Sequence, residues 1–267
     1  MMKEIRKHLA LWGILMRNSL MGQLEYRMNF FTGIAMELGY FLAKIVYMIV
    51  VYKTGVPIHG LTPDEVLVFF GSYMIATGPY AGLYMMNLFG IGRQVQSGEL
   101  DLLLVKPVSL QFLLTLRRSD LALFTVDVLL GIAAVIVGIV RMAMPVGILD
   151  VLGYVGYMIT GSLIAYAMFL LPQVLAFKLV KTNALAGLVD SSWDFNNMPM
   201  GIYNRLIQQI GVFVVPIFVI TNFPALFLLK KMDTLHAVWG VLGPFAWLAL
   251  TSFLFNRGLK HYQSASS

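Results

Sequence analysis

Five charged residues stand where a chain this apolar has least room for charge. Glu37 and Lys44 lie seven residues apart inside one long apolar run, and Asp127 lies inside another. Asp190 and Asp194 flank Trp193 in an interrupted stretch that also carries Asn196 and Asn197. A charge at mid-bilayer costs roughly 2.5–3.5 kcal/mol on insertion scales, so such groups face a bundle interior, a water-filled cavity or a partner. Two kinds of chemistry fit. The groups can line a polar translocation path, or Lys44 can pair with an acidic neighbour and hold helices together. For the Asp190–Asn197 cluster the alternatives are a cavity lining and a solvated loop, with the loop as the first reading.

Other reactive groups are sparse. His59 and Asp64 form an H-x-x-x-x-D spacing that occurs in some acyltransferases. Thr62-Pro63-Asp64-Glu65 is, however, already accounted for as a helix start, with Thr62 as N-cap, Pro63 at the first position and Glu65 closing a capping box. His8, His59, His236 and His261 are scattered and lack metal-ligand spacing. The absence of cysteine excludes thiolate metal sites and cysteine nucleophiles. No G-x-x-x-x-G-K-[ST] occurs, so the chain has no P-loop for ATP. The expectation is a protein with no catalytic residue, no metal and no cofactor of its own.

The elements that must carry these residues are membrane helices. The 267 residues are 59% hydrophobic and 12% charged, with a mean hydropathy of +0.79. Soluble domains carry about 25% charged residues. A spanning helix takes about 20 mostly apolar residues. Six candidates follow: Met28–Tyr52, a second from the Thr62 cap to about Gly90, Ser119–Val140, Leu149–Phe177, Ile210–Leu229 and His236–Phe255. Gly78-Pro79 and Gly82 predict a kink and close packing in the second. The fifth carries Pro216, Asn222 and Pro224 and reads as broken or partly re-entrant. In a variant of this reading, Leu185–Tyr203 is the fifth span, Arg205 changes sides and the following apolar run is re-entrant. Glu37 and Asp127 lie about nine and eight residues from the same ends of their helices, hence at similar depth at 1.5 Å per residue.

Residues 1–27 form a basic amphipathic helix at the interface, with Ile5, Leu9, Trp12, Met16 and Leu20 on its apolar stripe. Spans one and two occupy 28–90, a polar loop 91–118, spans three to six 119–256 and a polar tail 257–267. Of the 19 Lys and Arg, Lys53, Arg141, Lys230 and Lys231 fall on one side and Lys44 falls inside a span. The other fourteen share the side of both termini and the 91–118 loop, which is therefore expected to be cytoplasmic. The basic residues punctuate membrane segments and do not gather on a soluble face, so nucleic acid is not an expected partner.

Within that loop Gly98 frees the backbone, Glu99-Leu100-Asp101-Leu102-Leu103-Leu104-Val105 makes a short helix, Lys106-Pro107 stops it and Ser109 caps the next. Such a helix, presented between two breaks, suits docking of another protein or rest on lipid headgroups.

The run Ser97-Gly-Glu-Leu-Asp-Leu-Leu-Leu-Val-Lys-Pro-Val-Ser109, followed by Gln111, resembles the type-2 ABC-transporter permeases. It is similar to a bacterial subfamily with an s-G-x-L-D-x-L-L-x-K/R-P-v-s/n run at this location. Glu25-Tyr26-Arg27, Pro199-Met200-Gly201-Ile202-Tyr203, Pro216, Pro224 and Arg257-Gly258-Leu259-Lys260-x-Tyr262 extend the likeness over essentially the whole chain. Asp190-Ser-Ser-Trp-Asp194 departs from it, since the family is usually more aromatic and apolar there. The resemblance implies an all-α polytopic bundle in the bacterial cytoplasmic membrane, a six-span permease with an N-terminal elbow helix. It implies Glu99–Val105 as a coupling helix and a separate ABC ATPase that holds ATP and Mg. It also implies a second permease subunit, identical or related, and export of a drug-like, peptide or lipid-like substrate. On that reading Asp101 caps or pairs with the ATPase, Leu102, Leu103 and Leu104 fill its groove, and Lys106-Pro107 sets the exit angle. The alternatives are an ion-coupled transporter or channel that uses Glu37, Lys44 and Asp127 without an ATPase, and a membrane-embedded enzyme acting through His59 and Asp64.

Overall fold

The computed structural model describes residues 2–55, 58, 60–177, 187 and 190–262. The described residues form a helical bundle. Helix α1, Met2–Glu25, lies across one end of it and meets α2, Arg27–Thr54, at the non-helical Tyr26. The elbow expected from residues 1–27 is thus present as a helix and a break. Its inward side carries Trp12, Met16 and Leu20, but Leu9 is 58% exposed and leaves the stripe.

Helix α3, Pro63–Pro79, begins at the expected capping box: Thr62 Oγ1 accepts from the Glu65 amide and Glu65 returns the bond to the Thr62 amide. It runs through a π-helical turn, Tyr80–Met85, into α4, Met86–Gln96. The disturbance expected at Gly78-Pro79 takes this form because proline cannot donate the helical bond its turn requires. Against α3 packs α7, Leu121–Met142, along a line of glycines. A Cβ on Gly71 would stand 2.6 Å from the Gly131 carbonyl, and one on Gly82 would stand 2.6 Å from Phe124 Cβ. Small residues let helix backbones approach where no hydrophobic force separates lipid from protein.

Between α4 and α7 lie the short helices α5, Glu99–Leu104, and α6, Leu110–Leu116. Helix α8, Ile148–Gln173, ends near Pro172 and tightens into a 3-10 turn, Val174–Phe177. Later come α9, Arg205–Gln209, a π-helical turn Ile210–Val214, α10, Ile217–Leu228, and α11, Thr234–Leu259. Among the described residues, five helices are long and apolar enough to cross a membrane: those in α2, α3–α4, α7, α8 and α11. Arg205–Val214 and Ile217–Leu228 form one further apolar pair, bent by 100°.

That pair covers the run expected to be a broken or partly re-entrant fifth span. Phe177 packs on Phe255 and Tyr262 at the α5 end. Pro199 to Gly201 share a pocket with Gly60, Leu61, Leu229 and Lys231, toward the opposite end. Phe177 and Pro199 thus lie toward opposite ends of the bundle. Val212 accepts from Trp239 near the start of α11, and α10 also ends at Lys230 and Lys231, so the bent pair enters and leaves at one end. Ile210–Leu229 is a re-entrant hairpin, and Arg205 moves away from the α5 end. Val215 and Pro216 make the bend, where proline supplies no amide to continue a helix.

At the far end, Arg141 pairs with Asp64 at 2.7 Å, Lys231 with Glu65 at 2.7 Å and Lys230 with Asp150 at 3.4 Å. The basic residues assigned to the sparser side are thus gathered at one end of the bundle.

Candidate functional site

The five intramembrane charges converge. Glu37 and Lys44 from α2, Asp127 from α7, and Asp190 and Asp194 from the stretch before α9 all line one cavity of about 610 Å³. Glu37 and Asp127 interact directly as a carboxyl pair, as their matched depths required. Among the described residues Lys44 forms no ion pair, the second of the two alternatives. Its Nζ donates to Asn197 Oδ1 at 2.8 Å and stands 5.4 Å from the centre of the Tyr73 ring.

The Asp190–Asn197 cluster lines the cavity and buries Trp193 and Asn196, while Asp190 and Asp194 stay exposed. Trp193 is buried flat on Tyr80, with ring centroids 3.9 Å apart and planes 11° apart. Tyr80 donates to Asp190 Oδ1 at 3.1 Å, and Thr221 of the re-entrant hairpin donates to the buried Asn196 at 2.9 Å. Desolvated aromatic stacking is worth about 0.5–1.5 kcal/mol beyond area burial. A segment interrupted by charges nonetheless packs as a wall, because Asp190, Asn197 and the Asn196 Oδ1 find partners on other elements.

Tyr73 and Tyr80 were not among the candidates, and Trp193 entered only as a member of the polar cluster. Tyr73, Thr77 and Tyr80 lie at i, i+4 and i+7 on α3, a polar-tipped stripe on an apolar helix. That spacing was available in the sequence; that Trp193 closes over it was not.

A second set of candidates lies at the α5 end. Gly98 takes φ +73°, a conformation that favours glycine, and starts α5. Leu100 and Leu103 are 0% and 3% exposed, so they anchor the helix to the bundle and cannot fill a partner's groove. The reason is helical spacing: residues three apart share the face that meets the bundle. Leu102 is 67% exposed and Val105 82%, with Leu104 beside them. Glu99 is paired to Arg117 at 3.4 Å, and Lys7 of α1 donates to the Pro107 carbonyl at 2.5 Å. Asn87 of α4 clasps the Arg118 backbone through both its amide atoms. Lys106 and Pro107 are exposed at the exit. Asp101 faces Tyr262 of the tail; burial first, and then this carboxylate, raise the Tyr262 phenol above its ordinary pKa. Elbow, tail and α4 therefore hold a rigid α5 with an apolar outer face.

His59 lies outside the described residues. Its companion Asp64 accepts from Tyr52 at 2.6 Å and from Arg141 at 2.7 Å, which accounts for its carboxylate structurally. Among the described residues no group of three or more acidic, His or Cys side chains could hold a metal ion.

A family model described as ABC-2 family transporter protein matches residues 38–266. The chain belongs to the ABC-2 transporter family. The match takes in α5 and every charged cavity residue except Glu37, so both candidate regions of this multi-pass membrane permease lie almost wholly within the family's own domain. No curated protein and no solved structure gives a match.

Proposed function

We propose that this ABC-2 permease is the pathway-forming subunit of a bacterial exporter whose energy comes from a separate ATPase. The ATPase docks on the outer face of α5, where Leu102, Leu104 and Val105 enter an apolar groove while Asp101 and Lys106 meet polar groups at its rim. ATP and Mg are held by that subunit and not by this chain. The observation that carries the reading is the division of α5 into a buried anchor, Leu100 and Leu103, and an exposed apolar face. A power stroke can pass through a short helix only if the helix is fixed to what it moves.

The α5 end faces the cytoplasm of the bacterial inner membrane, together with both termini. The excess of Lys and Arg on that side supports this orientation, and moving Arg205 across leaves the excess in place. Glu37, Lys44, Asp127, Asp190 and Asp194 belong to the translocation path, for a drug-like, peptide or lipid-like substrate. Helix α2 buries little of its surface in one chain, which suits a second permease subunit, identical or related, on that side. The test is co-expression with a P-loop ATPase encoded beside the chain, followed by purification on a tag carried by the permease. Stoichiometric ATPase is the expected result. A transporter that moves its substrate in vesicles without ATP or ATPase contradicts the proposal and favours an ion-coupled mechanism through the Glu37–Asp127 pair.

A further inference from the structure

We infer that the cavity takes an organic cation with an aromatic or apolar body, its positive group seated at Glu37 and Asp127. This rests on the reading of the cavity as part of the path and adds the charge class of what it binds.

The cavity holds four carboxyl groups and one lysine. Among the described residues none of the four forms an ion pair. Lys44 is engaged by a neutral amide and a ring, and acts on Asp194 only through space. Asp190 and Asp194 each have a neutral donor, Tyr80 and Asn197 at 3.1 and 3.3 Å. Asp127 is 2% exposed, its Oδ2 has no hydrogen-bond partner among the described residues, and its hydrogen-bonded neighbour, Glu37, is a second carboxyl group. A carboxylate buried without a donor or a cation is costly, and one beside a like group is costlier still. A cation placed between Glu37 and Asp127 neutralises the negative charge that the carboxyl pair shares.

The rest of the lining selects the body of that cation. Among the described residues no three of the carboxyl groups could hold a metal ion together, and the volume far exceeds that of a bare ion. Phe41 and Phe70 stack on one side, and the Tyr80–Trp193 pair forms another wall. Ring faces attract cations and accept flat apolar groups alike. Lys44, tethered to Asn197, sets the end of the cavity that a second positive charge avoids.

The test is equilibrium binding to the purified full chain in detergent micelles, with protein-free micelles subtracted. The probes are tetraphenylphosphonium and its opposite-charge isostere tetraphenylborate, measured separately. Tetraphenylphosphonium is expected to bind at least ten-fold more tightly. Asp127→Asn and Glu37→Gln should each weaken it at least about ten-fold, the lower end for one close opposite-charge contact that is partly screened by water. Lys44→Met should tighten it, a change that a misfolded variant does not produce. Equal or tighter binding of tetraphenylborate overturns the inference, as does wild-type affinity in both neutralised variants. The assay contains neither ATP nor ATPase, so failure of the coupling proposal leaves its outcome untouched, and the reverse also holds.

Discussion

Trp193 lies flat on Tyr80, ring centroids 3.9 Å apart, and this contact joins a segment rich in charge to the π-helical turn of the helix that faces α7. Tyr80 in turn touches Phe169 of α8 at 4.6 Å, so one tyrosine ties together three parts of the bundle. Trp193→Ala should lower stability by about 3–5 kcal/mol, the cost of emptying a buried aromatic site. Trp193→Phe should recover most of that. Thermal unfolding of the purified variants checks both; an unchanged midpoint for the alanine variant contradicts the wall described here.

The α3–α7 seam should not accept a side chain. At Gly71 the obstacles to a Cβ include backbone atoms of Gly131 and Val135, which cannot rotate away as a side-chain tip can. Gly71→Val should cost at least the 1–3 kcal/mol typical of overpacking and leave little monodisperse protein. Gly13 on α1 has nothing within 4 Å of its Cβ position. Gly13→Ala should be neutral or mildly stabilising, by up to about 1 kcal/mol from helix propensity. Size-exclusion yield and unfolding midpoint separate the two outcomes.

Asp233 caps α11, accepting from the His236 amide at 3.0 Å and contacting its ring. Those bonds, the backbone one first, hold its carboxyl below the ordinary carboxylate pKa. A depressed pKa means stability that is present above the unfolded value of 3.8 and is lost as pH falls through the folded one. Asp233→Ala should therefore lower the unfolding midpoint at neutral pH and lose its effect in strong acid. The size is a few tenths to about 1 kcal/mol, since the group is well exposed. A destabilisation that persists below the folded pKa would assign the loss to packing.

Local chemistry was legible without coordinates, and partner-dependent geometry was not. Thr62 and Glu65 close their capping box within four residues, so nothing distant can change it. The common depth of Glu37 and Asp127 followed from a fixed rise per residue on two uninterrupted helices. Leu103 shows where such reasoning stops: periodicity groups Leu100 with Leu103, yet only the position of the bundle decides which face of α5 is buried. Leu9 left the expected stripe of α1 for the same reason. Asp190 to Asn197 read as loop because hydropathy scores residues singly, whereas Tyr80, Thr221 and Lys44 supply their partners from three other elements. Arg205 changed ends because an apolar run of span length, Ile210–Leu229, turned by 100° at Val215-Pro216 and returned.

The most direct test of the coupling account is recovery of the ATPase with a tagged permease carrying Leu102→Asp and Val105→Asp. Both side chains point away from the bundle, so insertion and yield should match wild type while ATPase recovery falls at least ten-fold. Leu103→Asp provides the contrast: it buries a charge at a site 3% exposed and should reduce the yield of the permease itself. Wild-type recovery of ATPase with the Leu102→Asp, Val105→Asp permease would contradict docking on α5.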